Sequence, residues 1–285
     1  MTRPYAEVIG DPIAHSKSPV IHGFWLELAG IDAEYRSRHV PADDLAAYLA
    51  EKRADDAWLG SNVTMPHKQA IIPLLDRLEP LARKVGAVNT VTRAKDGRLV
   101  GWNTDVAGFL EPLQETLAEQ HYFRMARIFG TGGAARAIVA GLADAGFSLV
   151  LAGRNPDKAQ AILTDLAPQG EHHTPPLGHF ATATDFEFDD REGCCDLLVN
   201  ASPLGMRGQA PLPFDFSHAP PGSIAYDIVT DPVETPFLQG AGEAGLRTIN
   251  GMAMLIEQAA AAFEKFFGVP APRGSDANLR ERLTQ

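Results

Sequence analysis

Cysteine, basic charge and long apolar runs are scarce in this sequence. The only cysteines among its 285 residues are the neighbours Cys194 and Cys195, too few for a disulfide framework or a cysteine-built metal site, and we interpret them as packed thiols. The 25 basic residues are outnumbered by 36 acidic ones, and the net charge of −11 opposes binding to a nucleic-acid backbone. No apolar run reaches the length of a membrane span, and the opening residues lack the pattern of a signal peptide. We therefore expect a cytoplasmic protein with neither nucleic acid nor a membrane as its partner.

Alternating strand and helix patterns are abundant instead. With 285 residues and 45% hydrophobic content, the chain is long enough for two domains that each have a core. Tyr5–Gly10, Ala33–Arg38 and Trp58–Val63 have the pattern of strands, while helices are expected from Ser18 and over Asp43–Lys52. This alternation predicts an α/β architecture for the N-terminal half.

A glycine turn dominates the middle of the chain. The turn reads Gly130-Thr131-Gly132-Gly133-Ala134-Ala135 and follows an apolar run. Its G-x-G-x-x-A spacing combines a tight turn at Gly130, close backbone approach at Gly132 and close helix packing at Ala135. An apolar helical face and the strand pattern Ser148–Ala152 follow, which is the context that such a turn needs. We predict a dinucleotide site here, with a plain glycine turn as the alternative.

The end of the next strand indicates which dinucleotide binds. A site for NAD usually has an acidic residue there to bind the ribose 2′-hydroxyl, but in this chain Arg154 follows Gly153. A guanidinium pairs with a 2′-phosphate and Lys158 adds a second positive charge, so we predict NADP as the cofactor. The alternative is a solvated helix start with Asn155 as N-cap and Pro156 as the first residue, and both interpretations can hold together.

A lysine and an aspartate stand out near the ends of predicted strands. Lys68 enters a helix after a strand and a turn at Pro66, and Asp105 follows a hairpin predicted over Ala87–Trp102. A lysine that is paired with a carboxylate and partly desolvated transfers protons near neutral pH, so the two residues are a candidate acid–base pair. The alternatives are a solvated lysine and an ordinary helix cap, between which sequence spacing does not decide.

Two serines flank Lys17 just before the first predicted helix. The hydroxyls of Ser16 and Ser18, beside the free N–H groups of a helix start, suit a small carboxylate ligand. The alternative is an N-cap with its flanking turn, because serine is a common helix cap. Local features favour neither interpretation.

The rest of the chain continues the strand and helix alternation. Predicted strands cover Asp196–Asn200, Ser223–Val229 and Arg247–Ile249, and a long helix covers Gly251–Phe267. Pro168–His179 is rich in proline, histidine and glycine, which predicts a surface loop. We do not expect its histidines, His172 and His173, to bind a metal.

Short motifs spread over nearly the whole chain resemble those of the shikimate dehydrogenase family. In order they are Ser16-Lys-Ser18-Pro, Asn62-Val-Thr64-x-Pro-x-Lys68, Gly86-Ala-Val-Asn89-Thr, Asn103-Thr-Asp105, the turn from Gly130 to Ala135, Asn200-Ala-Ser-Pro-Leu-Gly-Met206, Tyr226-Asp227 and Gln258-Ala-Ala260. Each motif is ordinary alone, but the ordered set is specific. The resemblance implies an α/β fold with an N-terminal α/β substrate domain, residues 1–104 with 251–285, and a Rossmann-like, doubly wound NADP-binding domain, residues 105–250.

The same resemblance implies an activity and a set of site residues. The implied reaction is the NADP-dependent, reversible reduction of 3-dehydroshikimate to shikimate, a step toward the aromatic amino acids, with Lys68 and Asp105 as the catalytic pair and no metal. Ser16 and Ser18 are implied to hold the substrate carboxylate. The residues implied to surround the ring hydroxyls and the reacting carbon are Thr64, Lys68, Asn89, Asp105 and Gln258. Those implied to line the cofactor are Gly130, Thr131, Gly132, Gly133, Ala134, Arg154, Asn155, Lys158, Ile228 and Gly251.

Several positions depart from the family pattern. Thr230 stands where the family usually has a tyrosine that contacts substrate, so Thr230 is itself a candidate substrate contact. Asn250 replaces an aspartate, Ala253 a common glycine, and Gly153 a common asparagine. The alternatives are therefore a paralogue that oxidises quinate or an amino-substituted ring, and a non-catalytic dinucleotide-binding protein. A homodimer is compatible with the sequence, which does not set the oligomeric state.

Overall fold

The computed structural model describes Arg3–Asp189 and Arg191–Thr284 and divides into two compact units. The first unit comprises Met1–Asp105 and Ile256–Gln285, and the second comprises Val106–Leu255. Both boundaries fall inside helices, after Asp105 and before Ile256. The substrate role of the first unit and the cofactor role of the second stay predictions.

Strands and helices alternate along most of the described residues. The strands are β1 Tyr5–Gly10, β2 Glu34–His39, β3 Trp58–Val63, β4 Arg77–Leu78, β5 Thr90–Arg93, β6 Leu99–Trp102, β7 Phe123–Phe129, β8 Ser148–Ala152, β9 His172–His173, β10 Cys194–Asn200, β11 Ile224–Asp227 and β12 Arg247–Ile249. The helices are α1 Ser18–Ala29, α2 Leu45–Arg53, α3 His67–Ala70, α4 Pro80–Val85, α5 Asp105–Leu110, α6 Gln114–Ala118, α7 Gly133–Asp144, α8 Pro156–Leu166, α9 Pro236–Glu243, α10 Gly251–Phe267 and α11 Asp276–Thr284.

The first unit is built on a mixed sheet with the order β2-β1-β3-β5-β6-β4. β1 pairs in parallel with both β2 and β3, and all six of its residues are buried because it has neighbours on both sides. The predicted hairpin is confirmed as the antiparallel pair β5 and β6. Its turn contains Gly97 at a φ of 82°, a backbone conformation that favours glycine. Tyr5, Ile9, Trp58 and Leu99 contribute to the apolar core of this unit.

The second unit contains a purely parallel sheet with the order β12-β11-β10-β7-β8-β9. The chain starts at the centre with β7, moves outward through β8 and β9, and then returns to pair β10 with the other side of β7. This arrangement is the expected doubly wound, Rossmann-like fold, and the α/β fold class is confirmed. The order reverses between β7 and β10, and ligands of such sheets usually bind at the carboxyl ends of the strands beside that reversal.

Two local expectations need correction. Pro168–His179 is not a loop throughout, because His172 and His173 form β9 and pair with β8. The His172 ring accepts from the Leu149 backbone N–H at 3.1 Å and donates to the Gln169 carbonyl at 2.8 Å. A hydrophobic pattern in the sequence does not predict such polar contacts. The strand expected from Asp196 already begins at Cys194. Burial raises the pKa of the neighbouring Cys195 thiol to about 11, so this packed thiol stays protonated at neutral pH.

Two kinds of feature are absent from the described ranges. Within Arg3–Asp189 and Arg191–Thr284, no helix combines the length and the apolar character that crossing a membrane requires. Those residues likewise contain no group of three or more histidine, cysteine, aspartate and glutamate side chains that could hold a metal ion.

His22 lies inside an aromatic cluster of the first unit. Its ring stacks on Tyr35 with the centroids 3.9 Å apart, and Trp25, Phe263 and Phe266 surround the rest of it. The residue is fully buried, and neither ring nitrogen has a hydrogen-bond partner within the described part of the chain. Because a charged imidazolium would be desolvated there, burial lowers the pKa of His22 to about 3 and the ring stays neutral.

We expect His22 to weaken the fold in acid. The pKa of His22 falls from 6.5 to about 3 on folding, so between these values the unfolded chain binds a proton that the folded protein does not. The contribution of His22 to the free energy of unfolding is therefore fully present above pH 6.5. It falls by about 1.4 kcal/mol per pH unit as the pH drops toward 3. Replacing His22→Phe keeps an aromatic ring and removes the titration. Urea unfolding of this variant between about pH 7 and about pH 4 should give a flatter pH dependence than wild type, and equal slopes would contradict the assignment.

Candidate active site

Lys68 and Asp105 meet in the first unit. Lys68 lies on α3, directly after the turn that leaves β3, and Asp105 is the first residue of α5. The Lys68 Nζ lies 2.6 Å from Asp105 Oδ2, and the two side chains are 16% and 4% exposed. Such shielding makes the pair a charge-assisted hydrogen bond rather than two solvated ions. The geometry therefore favours the acid–base interpretation of Lys68 over that of a solvated lysine.

Asn89 joins this pair to two further segments. Its amide nitrogen donates to Asp105 Oδ1 at 3.0 Å and to Thr104 Oγ1 at 2.8 Å, and it lies 3.3 Å from Oε1 of Gln258 on α10. Its amide oxygen accepts from the Thr104 backbone N–H at 2.8 Å. These residues are buried, so each hydrogen bond replaces one that water would otherwise make. We call Lys68, Asn89, Asp105 and Gln258 the Lys68 cluster.

The helix that carries Lys68 is fixed by the turn before it and by its own first residue, His67. Thr64 is half-buried in the preceding turn, where its backbone N–H donates to Ile9 and its carbonyl accepts from the His67 N–H. His67 was missed in the sequence. It is fully buried, and its Nε2 lies 2.7 Å from the Val40 carbonyl, an anchor beside the catalytic candidate. In the sequence, the position of His67 directly before Lys68 was the feature that could have identified it.

Ser16 and Ser18 lie together at the start of α1, but the N-cap interpretation of Ser18 is wrong. Lys17 is the N-cap, and its carbonyl accepts from the Val20 and Ile21 N–H groups that a Ser18 cap would serve. Ser16 Oγ accepts from the Ser18 N–H at 3.3 Å. Ser18 is buried, and so is Tyr35, whose hydroxyl donates to Asn62 Oδ1 at 2.6 Å.

The glycine turn has the geometry that its sequence predicts. Gly130 has a φ of 130°, and a Cβ there would lie 2.5 Å from the Ala201 carbonyl oxygen, so that position admits only glycine. Gly132 is exposed, and a Cβ on it would meet nothing within 4 Å. The space that the missing side chain leaves is open in front of the N-terminus of α7, where helix N–H groups point outward. This open, donor-lined turn fits a pyrophosphate group.

Arg154, Asn155 and Lys158 form an exposed group just after β8. Asn155 caps α8, because its side chain accepts from the Lys158 N–H at 3.1 Å, and this interpretation is confirmed. Within the described ranges no carboxylate forms an ion pair with Arg154. Gly153 stands where the family commonly has asparagine, and Thr131 explains the glycine. A Cβ at position 153 would lie 2.8 Å from Thr131 Cγ2.

Ile228 and Gly251 are in contact within the second unit. A Cβ on Gly251 would lie 2.6 Å from the carbonyl carbon of Ile228, so the two backbones touch. Asn250 accepts from the Met252 N–H at 3.2 Å and caps α10 as an aspartate would, which explains that departure. Thr230 is half-buried two residues beyond Ile228. Nothing in the structure explains the alanine at 253.

A doubly wound sheet with a glycine turn, together with an α/β unit that holds a shielded lysine–carboxylate pair, characterises a dinucleotide-dependent oxidoreductase. Comparison with known families is more specific. The family model for the shikimate dehydrogenase substrate binding domain matches residues 8–91, and that for the shikimate 5′-dehydrogenase C-terminal domain matches residues 251–275. A shikimate dehydrogenase (NADP(+)) of Sphingopyxis alaskensis is 47% identical over 281 residues, which cover 98% of this chain and 97% of that protein. The chain belongs to the shikimate dehydrogenase family, as its motifs predicted.

Solved structures support the same assignment. The shikimate 5-dehydrogenase from Thermus thermophilus, in complex with NADP(H) and shikimate, is 33% identical with a TM-score of 0.82, over 98% of this chain and 99% of that one. The ligand-free 5-ketofructose reductase of Gluconobacter sp. strain CHM43 is 30% identical with a TM-score of 0.79, over 99% of both chains. This fold therefore also occurs in a reductase named for a different ketone.

Proposed function

We propose that this chain catalyses the NADP-dependent, reversible reduction of 3-dehydroshikimate to shikimate. The observation that carries the proposal is the shielded hydrogen bond of 2.6 Å between Lys68 and Asp105, in a chain of the shikimate dehydrogenase family. A protein that only bound a dinucleotide would not need this pair in its first unit. The non-catalytic alternative is therefore disfavoured.

The proposed cofactor residues lie in the second unit. Gly130, Thr131, Gly132, Gly133 and Ala134 would hold the pyrophosphate, because the turn is open at Gly132 and lies at a helix N-terminus. Arg154 and Lys158 would bind the 2′-phosphate, with Asn155 holding their loop to α8. Ile228 and Gly251 would line the nicotinamide end. When bound, NADPH supplies the hydride for the reduction.

Lys68 would supply the proton. Hydride addition to a ketone leaves an alkoxide, whose oxygen takes a proton from the Lys68 ammonium, and in the oxidative direction the neutral amine takes that proton back. Asp105 accepts from Lys68 through Oδ2 and orients the ammonium. Asn89 holds the other carboxylate oxygen and approaches Gln258, so all four groups of the Lys68 cluster keep fixed positions.

The proposed substrate carboxylate would bind at Ser16 and Ser18. The two serines lie together at the start of α1, where Ser16 Oγ accepts from the Ser18 N–H at 3.3 Å. Thr64 and Thr230 are the further proposed substrate contacts. We also propose a cytoplasmic location and a homodimer.

A matrix of two cofactors and two substrates tests the function. Reduction of NADP or NAD, followed at the nicotinamide absorbance, is measured with shikimate and with quinate. Quinate carries an extra hydroxyl at the carbon that bears the carboxylate, and burying it without a partner costs about 1–3 kcal/mol, so kcat/KM should favour shikimate by about tenfold to a hundredfold or more. Equal turnover of quinate, or no turnover of either substrate, would move the assignment to a paralogue with another substrate.

Substitution of Lys68 tests the mechanism. Lys68→Ala should lower kcat by roughly 10²–10⁴-fold, the usual loss for a general acid–base group, with a much smaller change in KM. Lys95→Ala, an exposed lysine beside the hairpin turn of the same unit, serves as the control and should retain wild-type kinetics. A Lys68→Ala enzyme with near-normal kcat would exclude Lys68 from proton transfer.

Arg154→Ala tests the choice of cofactor. Loss of the guanidinium should raise KM for NADP by about 10–100-fold, since hydrogen bonds to charged groups contribute about 1.5–3 kcal/mol. KM for NAD, which lacks the 2′-phosphate, should hardly change and is the internal control. If KM rises equally for both dinucleotides, Arg154 does not recognise the 2′-phosphate.

A further inference from the structure

Asp227 is a fully buried carboxylate to which no role has been given. It ends β11, at the edge of the parallel sheet where the proposed cofactor site lies. Burial raises the pKa of Asp227, and hydrogen bonds from Thr235, Val229 and Asn200 oppose that rise. A carboxylate in such a place is costly unless every oxygen is satisfied, so its partners indicate what it does.

Both carboxylate oxygens accept hydrogen bonds, and these join three elements. Oδ1 accepts from the Val229 N–H at 2.9 Å and from Asn200 Nδ2 at 3.1 Å. Oδ2 accepts from Thr235 Oγ1 at 2.6 Å and from the same Asn200 nitrogen at 3.1 Å. Asn200 ends β10, and Thr235 is the N-cap of α9. We call Asp227, Asn200 and Thr235 the Asp227 network.

The network encloses the segment that carries Ile228. The Ile228 N–H donates to the Asn200 carbonyl at 3.1 Å, and the next N–H, that of Val229, is held by Asp227. On the other side the Gly251 backbone leaves no room, because a Cβ there would collide with the carbonyl groups of Ile228 and Val229. The Ile228–Val229 peptide is therefore fixed from both sides.

We propose that Asp227 is a positioning residue that holds the Ile228–Val229 peptide in the place required by the nicotinamide ring. The proposal rests on the proposed function, in which Ile228 and Gly251 line the nicotinamide end of the cofactor. A less ordered peptide should slow hydride transfer. It should not weaken the affinity for the adenosine end of the cofactor, which would bind at the glycine turn and Arg154. Small displacements of a reacting group lower kcat strongly even when affinity persists.

Asp227→Asn is the main test variant. Asparagine has nearly the same volume but offers one acceptor oxygen where the site has donors at two, so its NH₂ group faces donors. We expect kcat to fall by about 10–100-fold. The affinity for adenosine 2′,5′-bisphosphate, which lacks the nicotinamide, should change less than about threefold in calorimetry. The fluorescence lifetime of bound NADPH, a property of the nicotinamide, should shift toward that of the free cofactor.

Three further variants separate positioning from a general loss of structure. Thr235→Val removes one donor to Asp227 and should lower kcat less than Asp227→Asn does. Thr235→Ser keeps the hydroxyl donor and should have a kcat close to that of wild type. Arg207→Gln is the control, because it breaks an ion pair with Asp231, which lies between Asp227 and Thr235 in the sequence. The Arg207 side chain is 76% exposed, so kcat and the NADPH fluorescence lifetime should stay at wild-type values.

The outcomes are distinct. Wild-type kcat and NADPH lifetime in Asp227→Asn, or a parallel loss of affinity for adenosine 2′,5′-bisphosphate, would overturn the positioning role. If Asp227→Asn does not fold, Thr235→Val decides by the same two readouts. A wild-type protein that binds NADPH but does not reduce 3-dehydroshikimate would instead refute the proposed function, and the lifetime measurements would still test Asp227.

Discussion

The amide group of Asn89 holds the Lys68 cluster together. It holds Asp105 through one carboxylate oxygen, which leaves the other oxygen for Lys68, and it reaches Gln258 on a distant part of the chain. A buried amide is costly unless its donors and acceptors are satisfied, so each partner of Asn89 contributes to the stability of the fold. These hydrogen bonds fix the side chains of the Lys68 cluster relative to one another.

Close backbone contact is a further source of order in the second unit. Two of its turns are held by backbones in direct contact, Gly130 against Ala201 and Gly251 against Ile228, where no side chain would fit. Hydrogen bonds between side chains can adjust by rotation, whereas backbones in van der Waals contact cannot. A side chain at Gly130 or Gly251 would collide with the facing backbone, whereas polar exchanges are expected to disturb the Lys68 cluster of the first unit and the Asp227 network of the second.

Much of this architecture could be predicted from the sequence. Periodicity, glycine spacing and capping residues are local, so the alternating strands and helices, the hairpin and the Asn155 cap followed from neighbouring residues. The doubly wound sheet was implied by the family resemblance. The pairing of Lys68 with Asp105 joins residues 37 positions apart, and that of Asn89 with Gln258 spans 169 positions, distances that no local pattern encodes. Lys68 and Asp105 were a candidate pair because both follow predicted strands, whereas the contact between Asn89 and Gln258 was not predicted.

Other features were not predictable because they contradict the usual rules. The Lys52 side chain of α2 is 5% exposed, and its Nζ lies 3.1 Å from a Glu7 carboxylate oxygen in a buried ion pair. Burying a lysine is favourable only with such a partner, and the partner lies on β1. The two-residue strands β4 and β9 are too short to show any alternation.

The division of the chain also has a consequence for synthesis. Residues 106–255 form the second unit, whereas the first unit needs residues 256–285, which leave the ribosome only after the whole second unit. Phe263 and Phe266 pack against His22 and Tyr35, so that aromatic surface of the first unit is uncovered until residues 256–285 emerge. The second unit can fold during translation, while the first completes its core only afterward. During synthesis the N-terminal part of the chain is therefore the part most exposed to aggregation, and it stays so while the second unit is being made.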